Sequence, residues 1–179
     1  MSQSHSQKSL CSLILQLVNF LKRVYALFFV LLTVLFFALM SKIDYIVHST
    51  LYQYGLSFSY DWANLYWLTY SLVFFAFGLT MAFCYYAGSQ KTFQNKKIAI
   101  AIFTSINVLS LCGLQDILFF ILWAGSLPPG TLVWWWSMWT YVFGTWNSQM
   151  QVTLTSSGFA LITATWILTY YKKKPYITK

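Results

Sequence analysis

Asp44, His48, Asp61 and Asp116 are the side chains in this sequence best suited to chemistry. The three aspartates are its whole acidic complement in 179 residues, and glutamate is absent. Asp116 lies within the apolar run CGLQDILFFILW. A carboxylate at membrane depth is costly enough that it turns toward a partner, a cavity or water, which makes it a functional-site candidate. Asp44 and His48 stand four residues apart, a spacing that puts both on one helical face within reach of a hydrogen bond or a shared ion. Asp61 precedes an apolar run, where it suits a helix N-cap or first turn as well as a catalytic role. If the protein is an enzyme, these four residues carry its chemistry, since a desolvated aspartate can serve as general acid or base.

Several other chemistries are excluded. Without glutamate, the carboxylate cage of a di-iron bundle cannot be assembled. The two histidines, His5 and His48, are expected on opposite sides of the membrane, which removes a two-histidine haem clamp. Cys11, Cys84 and Cys112 follow neither a zinc spacing nor a disulfide framework, and they read as small buried apolar residues. No glycine-rich phosphate loop, HExxH or GxSxG pattern occurs. No metal and no cofactor is therefore expected.

The elements that must position these residues follow from composition. Hydrophobic residues make up 59% and charged residues 8%, against roughly 25% charged in soluble domains. This is the composition of an integral membrane protein. A spanning helix needs about 20 mainly apolar residues, and four such runs are present, at approximately 24–40, 65–86, 98–123 and 152–171. Backbone groups in lipid must be satisfied internally, and the runs lack the short alternation of barrel strands. The expected fold is thus all-α, an integral membrane four-helix bundle forming a single membrane domain over residues 1–179.

Basic residues mark cytoplasmic loops. With both termini inside, all eleven Lys and Arg residues except Lys42 fall on the cytoplasmic side, which also supports an even number of crossings. The net charge of +8 then meets anionic headgroups, and nucleic acid is not an expected partner because no binding motif accompanies the charge. Before Lys22, the residues Leu10, Leu13, Ile14, Leu17 and Leu21 recur at helical spacing. They predict an amphipathic segment lying on the inner surface, or else continuous with an uncleaved first span.

The connection from Ala124 to Gln151 is rich in aromatic residues. After Pro128, Pro129 and Gly130 come Trp134, Trp135, Trp136, Trp139, Tyr141 and Trp146. Tryptophan and tyrosine concentrate at headgroup level, so the segment reads as an interfacial helix between spans three and four. Alternatively Trp135 and Trp139 help to wall a ligand site. On a straight third span Asp116 lies roughly 10 Å below the outer interface, with Ser105, Cys112 and Asp116 close in angle and Thr104, Asn107 and Gln115 beside them. This flank is expected to face the interior. Asn107, Gln115, Asn147 and Gln149 are the expected ligand-binding polar residues. In the fourth span Ser156, Ala160 and Ala164 repeat as small residues do in packing seams.

Two functional readings follow. The leading one is a non-catalytic subunit or scaffold of a membrane complex, with membrane lipids and a membrane-protein partner or second copy around it. The alternative is a protein that binds or modifies a lipid or isoprenoid in an outward-facing polar pocket centred on Asp116.

Overall fold

The computed structural model describes residues 3–56, 60–130 and 139–170, with side chains described over 27–56, 65–130, 139–140 and 142–170. Every element among the described residues is helical: α1 (Gln3–Gln53), α2 (Tyr60–Ala87), α3 (Phe93–Leu111), α4 (Leu114–Leu118), α5 (Trp139–Phe143) and α6 (Ser148–Tyr170). α4 widens directly into a π-helical segment, Phe119–Ala124. Leu27–Gln53, Leu65–Ala87 and Ser148–Tyr170 are each long and apolar enough to cross a membrane, and α3 with the Leu114–Ala124 stretch makes a fourth crossing if the bent pair counts as one. Such a chain is a multi-pass membrane protein.

Two units divide the chain, Met1–Phe36 and Phe37–Lys179. Within the first, the described side chains Leu27, Phe28, Val30, Leu31, Val34 and Leu35 are exposed and apolar, as expected of a helix solvated by lipid. The second unit holds the remaining elements and the candidate site. There α2 packs along α3, and α3 packs along α6.

Close approach of α3 and α6 depends on Gly158. A Cβ at that position would stand 2.8 Å from Cys112 Sγ and 2.9 Å from Cys112 Cβ. At the other end of this pair, Trp166 Nε1 donates to Ser105 Oγ at 3.0 Å and Gln94 Nε2 donates to the Thr169 carbonyl at 2.9 Å. α3 itself starts at an N-cap, Thr92, whose hydroxyl accepts from the Asn95 amide, satisfying one of the donors that a helix start leaves open.

Three sequence expectations are corrected. The first helix does not end near Met40; α1 runs on to Gln53, so Asp44 and His48 stand on a helix and not in an irregular connection. Lys42 and Asp44 suggested an interface, but the helix accommodates both by giving them partners. Lys42 Nζ lies 4.3 Å from the Trp123 ring centre and 4.9 Å from that of Tyr45, a cation–π arrangement.

The third span is not straight. It breaks after Leu111 and turns by 61°, with Gly113 at φ 71°. That left-handed conformation is open to glycine at no steric cost. The depth deduced for Asp116 from a straight helix therefore fails, and so does the single polar flank: Cys112 meets α6, Asn107 lies against Gly78 of α2, and Asp116 follows the break. Finally, the buried face of α6 is Ser148, Gln151, Thr155, Gly158 and Thr169. Ser156, Ala160 and Ala164 are exposed, so they form no seam within the described residues.

Candidate functional site

The break in the third span sets free backbone carbonyls that lipid cannot satisfy, and irregular backbone at membrane depth persists only where protein or a cavity receives it. Here side chains from later in the chain receive it. Gln151 Nε2 donates to the Cys112 carbonyl at 2.9 Å, and Thr155 Oγ1 donates to the same oxygen at 2.6 Å. Trp139 Nε1 donates to the Leu111 carbonyl at 3.2 Å. Gln151 is itself held, because its Oε1 accepts from Trp146 Nε1 at 2.8 Å. Gln151 is fully buried, and a Cβ on Gly113 would fall 1.9 Å from its Nε2, so the clamp requires glycine twice over, for its φ and for its lack of a side chain. The rings of Trp139, Phe143 and Trp146 pack on one another with centres 5.7–6.1 Å apart.

A second polar group of residues is supplied by α1 and α2. Tyr66 Oη donates to Asp44 Oδ1 at 2.5 Å, and His48 Nδ1 stands 3.1 Å from the same oxygen and 3.0 Å from the Asp44 carbonyl. A carbonyl oxygen can only accept, so Nδ1 carries the hydrogen. Asp44 is only 3% exposed, so its carboxyl depends on these partners in place of water. Tyr70 packs against Tyr66 with ring centres 4.5 Å apart and planes tilted by 38°, and its hydroxyl donates to the Met40 carbonyl. Ser41 Oγ accepts from Trp123 Nε1 at 2.9 Å, tying α1 to the π-helical segment.

Between α2 and the break is a cavity of about 30 Å³, room for one or two water-sized groups, since a water needs about 10–15 Å³ by this measure. Trp67, Tyr70 and Ser71 of α2 form one wall, and Ser110, Leu111 and Gly113 form another. Gln115, Asp116 and Trp139 complete it. Gln115 is 3% exposed, and its Nε2 is the one buried side-chain nitrogen or oxygen among the described residues with no hydrogen-bond partner. Ser71 and Leu111 are exposed, so the cavity is open to the exterior.

The expected site residues thus divide. Asp116, Gln115 and Trp139 come together at the cavity. Asp44 and His48 pair with each other and with Tyr66, and Asp116 lies within electrostatic range of both. Asn107 turns back to the Phe103 carbonyl of its own helix at 2.9 Å. Asn147 Oδ1 accepts from the Met150 amide at the start of α6, and Gln149 is exposed; neither lines the cavity. The side chains of Asp61 and Trp135 lie outside the described residues. No metal-binding group of histidine, cysteine or acidic residues occurs among the described residues.

Tyr66, Gln151 and Thr155 matter more to this site than local spacing indicates. Tyr66 is 22 residues from Asp44, and Gln151 is 39 from Cys112. No helical or strand period connects such pairs. No family model, curated protein or solved structure matches the chain.

Proposed function

We propose that this chain is a non-catalytic membrane subunit, a bundle of four spans with both termini cytoplasmic, that receives the polar end of a bilayer amphiphile in the cavity beside Asp116. The observation that carries this reading is the cavity itself: within one chain it joins Asp116 to a buried Gln115 whose amide nitrogen is unpartnered, and two of its lining residues, Ser71 and Leu111, are exposed. A buried polar atom without a partner costs on the order of 1–3 kcal/mol, which a bound polar group offsets.

Catalysis is disfavoured by the same geometry. Asp44, which with His48 and Asp116 made up the described part of the acid–base set, is bonded to Tyr66 and His48, and neither Asp44 nor His48 lines the cavity. The aromatic connection fits this role: Trp139 walls the cavity while its indole secures the break.

The test is a diazirine side chain placed at Leu111, on the cavity wall, and in a separate protein at Leu79, exposed elsewhere on α2. Photolysis in native membranes is expected to give one dominant lipid adduct at Leu111 and a mixture matching bulk lipid at Leu79. The same mixture at both positions would defeat the binding reading.

A second reading, a scaffold for another membrane helix or a second copy, is favoured by one observation. The small residues Ser156, Ala160 and Ala164 face outward, and only 11% of the apolar window of α6 is buried. Small residues let helix backbones approach closely in lipid. An Ala160→Cys chain that forms disulfide-linked dimers in the membrane would place a second copy there.

A further inference from the structure

We infer that the cavity at the helix break is built for the hydroxyl group of a neutral, membrane-dissolved alcohol. This rests on the binding reading above and names the ligand's chemistry. Gln115 Nε2 is a buried donor without an acceptor, and the neighbouring Asp116 on the same cavity wall offers a carboxyl oxygen that accepts in either protonation state. An alcohol is the smallest organic group that answers both, because its O–H donates to Asp116 while its lone pairs accept from Gln115.

Other headgroups answer less well. An ammonium group has donors and no acceptor, so it would satisfy Asp116 and leave Gln115 as it is. A phosphate would bring negative charge into a cavity that no Lys or Arg lines. At about 30 Å³ the space takes a hydroxyl but not a sugar ring or a phosphate. The mouth favours a long apolar tail. Leu111 on the wall is 47% exposed, and Leu68 and Leu72, flanking Ser71 on α2, are 58% and 59% exposed. The tail therefore stays in hydrocarbon while only the hydroxyl enters.

The experiment is equilibrium binding of tritiated farnesol to the full chain in lipid nanodiscs, with competition by unlabelled farnesol, cholesterol, farnesylamine, farnesyl phosphate and the hydrocarbon farnesene. Saturable binding is expected, displaced by farnesol or cholesterol. The more effective of the two tells whether the source is a chain alcohol or a sterol. The amine, the phosphate and the hydrocarbon should each compete roughly tenfold more weakly or worse, the loss of about one hydrogen bond. Gln115→Leu is expected to weaken farnesol binding by a similar factor. Should that variant fail to fold, the order of competitors on the native chain decides alone.

Equal competition by the amine, the phosphate or the hydrocarbon overturns the inference. So does an absence of saturable binding by either alcohol, as when water alone fills the site. A single lipid captured at Leu111 together with no alcohol binding would sink this inference and leave the binding reading standing, whereas unselective capture at Leu111 would remove both.

Discussion

Asp44 and Asp116 are both aspartates of the same polar region, yet their surroundings give them different work. Asp44 is held by Tyr66 and His48, so its partners stabilise the fold. Replacing Tyr66 by Phe removes a donor from a buried carboxylate, which costs on the order of 1–3 kcal/mol. A clear fall in the thermal unfolding midpoint in detergent is expected, and an unchanged midpoint would mean that the Tyr66–Asp44 bond contributes nothing. Asp116 borders a cavity and makes no side-chain hydrogen bond to a described residue. Asp116→Leu should therefore leave the unfolding midpoint near that of the native chain. A loss as large as that of Tyr66→Phe would show Asp116 to be structural. From the sequence both carboxylates were legible as unusual, as was the Asp44–His48 pairing, because it lies within one helix. Their division of roles was not, since it is set by Tyr66 from another helix and by the helix break that precedes Asp116.

The broken third span is the element on which the site depends. Gln151 bridges the Cys112 carbonyl and the Trp146 indole from a fully buried position. Gln151→Ala leaves one donor without its acceptor and a void beside the break, a loss of roughly 2–4 kcal/mol by the sum of the two effects. Gly113→Ala is expected to be at least as damaging, because its φ of 71° disfavours any side chain and its Cβ would collide with Gln151. Unfolding midpoints in detergent check both, and a Gly113→Ala chain as stable as the native one would mean that the helix is not broken there. Helices α2 and α6 were legible in the sequence as apolar runs long enough to cross a membrane. The break was not. A single glycine within an apolar run costs only about 1 kcal/mol in a helix and is usually tolerated. What makes it a break is the capture of two carbonyls by Trp139, Gln151 and Thr155, which no local pattern announces. The extension of α1 past Met40 was hidden for a related reason: Lys42 and Asp44 look like a helix end until Trp123 and Tyr66 are seen to cover them.

At the scale of the whole molecule, the distribution of Lys and Arg argues for cytoplasmic termini and for an outer position of the residues around Gln53. In a chain lacking Cys11, Cys84 and Cys112, a lone cysteine at Gln53 should react with an impermeant maleimide added to intact cells, and one at Lys91 only after permeabilisation. The opposite pattern would invert the topology. The helical, multi-pass character was legible because a 59% hydrophobic content marks a membrane protein and its long apolar runs lack the alternation of barrel strands. Which faces meet each other was not, as the outward turn of Ser156, Ala160 and Ala164 illustrates. The central claim is that the cavity at the break holds a ligand through Asp116. It is tested most directly by native mass spectrometry of the chain released gently from its own membrane, native beside Asp116→Leu. The expected result is a stoichiometric amphiphile-sized mass on the native chain that the variant lacks. An equal mass on both, or none on either while partner proteins remain bound, would contradict it.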